Sequence, residues 1–297
     1  MADQDPRGVY TIAPTPFEED GSLDTGSLAT LTHFLHDLGI DGITILGVMG
    51  ETSKLVEAER DQVIAGVVEA ADGRIPICVG TSHTGTDGCV ALSRRAEELG
   101  ASSLMVAPSK LAKGTDEALL AHYLKVADAV SVPIVIQDHP MSSGVLMSID
   151  FIATIADRSP RCRFLKLEEE PSPRKASQVL AANPDVEIFG GLGGVMLLEE
   201  LRHGCMGTMT GFAYPDILKD IHTKYMSGDV DGATETFYRY CPLIRFESQP
   251  GIGLSIRKNV YQRRGAIKTA RARQPFVPLD DETLADLNDL LTRLGLE

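Results

Sequence analysis

Eight short apolar segments, each followed by a longer amphipathic stretch, constrain the fold of this 297-residue chain more than any other feature. They are GVYTIAPTPF (8–17), DGITILGVMG (41–50), IPICVG (75–80), SSLMVAPS (102–109), VPIVIQDHP (132–140), CRFLKLE (162–168), VEIFGG (186–191) and CMGTMTGF (205–212). Most are rich in β-branched residues and bounded by Gly, Pro, Asp or Ser, as strands buried on both faces are. Between them, apolar residues recur at three- and four-residue spacing, for example Leu28, Leu31, Phe34, Leu35 and Leu38, which predicts helices. Several of these patterns run into a glycine (Gly39, Gly100, Gly204) just before the next strand, a common helix end. A repeated strand–helix unit implies parallel strands joined by right-handed crossovers. Eight units within about 215 residues fit a closed (β/α)8 TIM barrel. A doubly wound open sheet is the rival, but no G-x-G-x-x-G follows the first strand. Residues 1–215 are therefore expected to form the barrel. Residues 216–297 carry only helical patterns and are expected to form a C-terminal helical segment packed on it.

Charge and composition exclude several classes of partner. The chain has 28 Lys and Arg against 42 Asp and Glu, a net charge of −14, which repels phosphate backbones and anionic lipid. Aromatic residues make up 5% and Trp is absent, so stacking platforms for single-stranded nucleic acid are not expected either. Neither nucleic acid nor membrane is an expected partner. No apolar run approaches the roughly 18 residues of a membrane span, and the start, MADQDPRGVY, carries no leader signature. Five scattered cysteines without C-x-x-C spacing suggest neither a disulfide framework nor a zinc site. A cytoplasmic location is the expectation.

A barrel places its active site at the C-terminal ends of its strands. The sixth segment carries Lys166 within Phe164-Leu165-Lys166-Leu167, and strand alternation sets Phe164, Lys166 and Glu168 on one side. Burial favours the neutral form of a lysine, and a neutral amine can attack a carbonyl to form a Schiff base. A strand-end lysine paired with Glu168, Glu169 or Glu170 is the alternative, and the pattern alone leaves both open. The fifth segment ends Gln137-Asp138-His139-Pro140, so Asp138 and His139 are candidate proton donor and acceptor or a strand-closing turn. The second ends Gly47-Val48-Met49-Gly50-Glu51, where two glycines three apart suit a turn with convergent N–H groups, a small anion nest. Gly190, Gly191, Gly193 and Gly194 after the seventh segment suit either anion binding or close backbone approach. His83, His139 and Glu168–Glu170 match no metal-ligand spacing, so no metal and no other cofactor is expected.

Taken together these strand ends resemble the dihydrodipicolinate synthase / N-acetylneuraminate lyase family of Schiff-base aldolases. The resemblance runs through Thr15-Pro16-Phe17, Leu23-Asp24, Gly39-Ile40-Asp41-Gly42, Leu46–Glu51 with Leu55 and Glu59-Arg60, Gly80-Thr81, Ala96-Glu97 with Gly100-Ala101, Pro133-Ile134, Pro140 with Gly144, and Lys166. It implies a barrel with a helical C-terminal segment, assembly as a homo-oligomer (tetramer or dimer), and Lys166 as the nucleophile toward pyruvate or another 2-oxo acid. It also implies that Gly47, Val48, Met49, Gly50, Gln137 and Gly191 line the substrate, with Glu51 bracing the turn. Departures are visible. The family's strand-five tyrosine, a proton relay, is Gln137 here; its two hydroxyl residues in the nest are Val48 and Met49; a tyrosine after strand four is missing from Pro108–Leu111; and the turn after strand seven reads Gly191-Leu192-Gly193. Asp138 or His139 is the expected replacement acid–base. The expected activity is a metal-independent class I lyase, of aldolase, synthase or dehydratase type. The alternative is a catalytically quiet member that binds a 2-oxo acid or sugar acid as sensor or scaffold. Tyr214, near the end of strand eight, is expected to pack at the rim.

Overall fold

A computed structural model describes residues 5–110 and 115–297. In chain order the barrel half runs β1 (Gly8–Ile12), α1 (Thr25–Asp37), β2 (Gly42–Ile45), α2 (Glu57–Ala71), β3 (Ile77–Gly80), α3 (Thr86–Glu98), β4 (Ser103–Val106), α4 (Asp116–Ala129) and β5 (Ile134–Asp138). It continues through α5 (Pro140–Ser143), α6 (Ile149–Arg158), β6 (Phe164–Leu167), α7 (Ser172–Ala182), β7 (Glu187–Gly190), α8 (Leu197–Arg202) and β8 (Gly207–Thr210). Helices α9 (Pro215–Met226), α10 (Val230–Glu247), α11 (Gly253–Arg263) and α12 (Asp281–Leu294) follow. The eight strands pair in sequence order, all parallel, and β8 closes on β1.

Local chemistry sets the element ends. Asp24, Thr115 and Ser148 accept hydrogen bonds from the backbone N–H of Ser27, Ala118 and Phe151, capping α1, α4 and α6. Gly100, at φ +101°, turns the chain from α3 into β4 in a conformation L side chains avoid. Gly42 serves differently: a Cβ there would collide with the Tyr10 ring, so this small residue on β2 gives β1's large side chain its space. Tyr10 in turn meets Phe189 of β7 edge-to-face, ring centroids 5.6 Å apart, filling the barrel interior. The outward strand faces, such as Ile43, Leu104, Ile136 and Leu165, are buried beneath the helices.

The expected boundary at residue 216 falls inside a barrel helix. Helix α9 packs against β1 and completes the outer ring, so the appendage begins at α10. Leu287 and Leu291 of α12 are buried, as the terminal leucine pattern predicts.

Candidate active site at the barrel mouth

Parallel register places Gln137 of β5 beside Lys166 of β6, and Lys166 beside Phe189 of β7. All three side chains therefore share the inner face. Lys166 is 1% exposed. Its Nζ stands 2.9 Å from Glu168 Oε2, and Gln137 Nε2 donates to that same oxygen at 2.9 Å. His139 Nδ1 lies 4.0 Å from it. Burial pushes the Glu168 carboxyl up, but Lys166, His139 and Gln137 outweigh it and hold the group below the ordinary carboxylate range. A resting carboxylate thus sits against a buried amine. The two sequence alternatives for Lys166 coincide, since the lysine is both buried and paired.

Asp138 is one residue from Gln137 and faces the other way, because neighbours on a strand alternate. It is fully buried outside the barrel wall, 2.6 Å from Lys175 Nζ of α7. Lys175 also reaches Glu169 at 2.7 Å and the Met147 carbonyl at 2.8 Å. Burial outweighs Lys175 and pushes the Asp138 carboxyl up to about 6. This corrects the expectation of Asp138 as an acid–base partner of Lys166: strand parity, which placed Lys166, points Asp138 into a structural ion pair. The acidic run Glu168–Glu170 divides likewise, with Glu168 against Lys166 and Glu169 against Lys175.

The β2 turn is held from several sides. Leu46 and Glu51 adopt φ of +56° and +53°, and Thr15 Oγ1 donates to the Gly50 carbonyl at 2.6 Å. Glu51 is buried, 2.6 Å from Lys258 Nζ of α11 and 3.0 Å from Lys54 Nζ, and it accepts the Arg273 N–H at 2.9 Å. Burial outweighs Glu51 and brings Lys258 down to about 8. Among the described residues, none of the N–H groups of residues 47–50 donates to a protein acceptor. Val48 is 64% exposed, whereas Met49 is buried with its sulfur against Gly211.

Across the mouth, the glycines after β7 serve close approach. A Cβ on Gly191 would overlap Glu168 Cγ and stand 3.0 Å from its Cδ and Oε1. A Cβ on Gly190 would collide with the carboxylate of Glu200, a fully buried residue that accepts from Ser172 Oγ at 2.7 Å. Burial pushes Glu200 up to about 7. Tyr214 is buried at the rim beneath Arg264, whose guanidinium lies 4.3 Å from its ring centre. Pro108, Ser109 and Lys110 precede Leu111, which lies outside the described residues.

The sequence expectations gave Glu168 no place among the acid–base candidates, although its i+2 spacing from Lys166 carried the signal. They also did not single out Arg257 and Glu247, which the structure pairs with each other beside Met49 of the β2 turn. These residues come from α11 and α10, and no periodicity in a helical tail tells which residue reaches a distant strand end.

A closed parallel barrel whose mouth joins a buried strand-six lysine to a carboxylate has the make-up of a class I aldolase-type lyase. Residues 5–294 match the dihydrodipicolinate synthetase family, and the chain belongs to it. It is 31% identical to L-2-keto-3-deoxyarabonate dehydratase of Azospirillum brasilense, covering 97% of this chain and 94% of that one. It is 28% identical to 4-hydroxy-tetrahydrodipicolinate synthase of Methanothrix thermoacetophila, with 97% of each covered. The crystal structure of dihydrodipicolinate synthase from Rhodopseudomonas palustris superposes with a TM-score of 0.91 at 34% identity over 98% of each chain. A prophage protein of the family from E. coli K12, solved in complex with pyruvate, superposes at 0.90 with 25% identity, covering 98% of this chain and 99% of that one. The protein is accordingly a Schiff-base-forming lyase acting on pyruvate or another 2-oxo acid.

Proposed function

We propose that Lys166 is the nucleophile, that Glu168 moves the protons, and that the reaction is dehydration of a 2-oxo acid with a hydroxyl on carbon 4. The observation that carries this is the 2.9 Å separation of Lys166 Nζ from Glu168 Oε2. Glu168 takes a proton from the lysine, and the free amine adds to carbon 2 of the substrate. Glu168 returns that proton to the adduct's hydroxyl, which leaves as water and forms the protonated imine, so Glu168 is again a carboxylate. The imine draws electrons from carbon 3, and Glu168, on the same face, takes a carbon 3 proton. The resulting enamine expels the carbon 4 hydroxyl, which leaves as water with the proton returned by Glu168. Hydrolysis of the unsaturated imine releases the product and restores Lys166. Free N–H groups of residues 47–50 receive the carboxylate, Gln137 steers Glu168 through its hydrogen bond, and Gly191 keeps room for that carboxylate.

Dehydration is favoured over aldol cleavage by where the acid–base stands. Glu168 stands on the face where the carbon 3 proton is taken and the carbon 4 hydroxyl leaves, and the strand-five position holds Gln137, an amide with no acid–base capacity. The name of the Azospirillum relative supports the same class of reaction. Borohydride with pyruvate should trap an adduct on Lys166. Exchange of the pyruvate methyl hydrogens with deuterated water should need Glu168, so Glu168→Gln should trap pyruvate more slowly and lose exchange altogether. Full activity in Lys166→Ala, or exchange at the original rate in Glu168→Gln, would sink the assignment.

The free cysteines Cys78, Cys89, Cys162 and Cys205, all buried, support residence in a reducing cytoplasm. No described helix is long and apolar enough to cross a membrane. Met141 and Leu146, 90% and 75% exposed on the segment after β5, support a subunit contact in a dimer or tetramer, which sedimentation would test.

A further inference from the structure

We propose that Arg257 supplies the counter-charge for the substrate's carboxylate. This rests on the Schiff-base reading of Lys166. The β2 turn offers backbone N–H groups but no hydrogen-bonding side chain, since its middle residues are Val48 and Met49. Arg257 of α11 reaches that turn from the helical appendage, its Nη1 lying 4.0 Å from Met49 Sδ. Three glycines surround the guanidinium. A Cβ on Gly193 would stand 3.2 Å from Nη2, and Cβ atoms on Gly211 and Gly253 would stand 3.7 and 3.8 Å from Nη1. The head group therefore lies between the loops after β2, β7 and β8.

Its partners are few for so enclosed a cation. Glu247 of α10, fully buried, stands 3.4 Å from Nε and is itself fixed by the Ala213 N–H at 3.0 Å. That contact approaches the guanidinium from its Nε edge. Among the described residues, Nη2 donates to no acceptor and Nη1 finds only the methionine sulfur. Glu247 Oε1 likewise has no hydrogen-bond partner among the described residues. An arginine used only as a brace would be expected to fill its fork of five donors; this one keeps two N–H edges unspent beside an anion nest. A planar fork matches a carboxylate, and a local cation is what an anionic substrate needs on a chain of net charge −14.

The test compares two ketones that differ by the carboxylate. Borohydride trapping on Lys166 is followed against concentration for pyruvate and for acetone. In Arg257→Gln the half-saturating pyruvate concentration should rise roughly 10- to 100-fold, as loss of a charge-assisted hydrogen bond implies. That for acetone should change less than about threefold, and Arg257→Lys should recover part of the loss. Because Arg257→Gln strands Glu247, the double variant Glu247→Gln/Arg257→Gln removes both charges and should show the same selective loss. Equal losses for the two ketones would make Arg257 a purely structural residue and overturn the proposal. Unchanged pyruvate binding with loss confined to longer hydroxylated 2-oxo acids would also overturn it. Absence of any adduct in the unmodified protein would instead overturn the Schiff-base reading itself.

Discussion

Gly191→Ala adds one methyl group to a residue that makes no contact with the amine, yet it should cripple catalysis. The new Cβ overlaps Glu168 Cγ and lies 3.0 Å from Cδ and Oε1. Carbon atoms pack at about 3.5–4.0 Å, so Cδ has to retreat by about 0.5–1 Å and Cγ by more. Glu168 is buried and bonded to both Lys166 and Gln137, so that retreat opens the 2.9 Å contact on which proton transfer depends. Misplacement on the order of 1 Å costs about 100-fold in rate, and overpacking of this size costs about 1–3 kcal/mol in stability. The assay is deuterium exchange into the pyruvate methyl, alone and combined with Glu168→Gln. If both changes act through one carboxylate, the double variant loses no more than Glu168→Gln by itself. Multiplied losses, or an unchanged rate in Gly191→Ala, would refute the reasoning.

Asp138→Asn should leave exchange within a few-fold of the original while lowering the thermal midpoint, because it weakens a buried pair with Lys175 worth about 1–3 kcal/mol; a collapse of exchange would return Asp138 to the active site. Glu200 is held near pH 7 in the folded chain against an ordinary 4.5, so the native state binds the extra proton and stability falls as pH rises from about 4.5 to about 7, then levels. Glu200→Gln should therefore gain on the unmodified protein across that window, by on the order of 3 kcal/mol; denaturant melts giving a pH-independent difference would count against it. Lys258→Met removes one of the two lysines paired with the buried Glu51 carboxylate, leaving Lys54 at 3.0 Å, which should cost about 1–3 kcal/mol. It should also weaken pyruvate trapping by loosening the β2 turn, and a normal melt with normal trapping would show that the pair braces nothing.

The sequence by itself determined the barrel, because fully buried parallel strands must be apolar runs and each crossover helix must carry an amphipathic stripe. Both periodicities survive in a one-dimensional chain. It also determined that Lys166 and Glu168 share a face, since a two-residue offset on a strand can do nothing else. The same parity could have excluded Asp138, had the inner face of β5 been known; only the register of Gln137 against Lys166 supplied it. The tertiary structure alone decided the rest of the mouth. Glu51 meets Lys258, Glu247 meets Arg257, and α9 joins the ring, across separations of 207, 10 and more than 200 residues that no local pattern encodes. Helix periodicity tells which stripe of α11 is buried but not what it is buried against. That choice belongs to the packing of the appendage on the barrel, which brings Arg257 and Lys258 from the far end of the chain to the β2 turn.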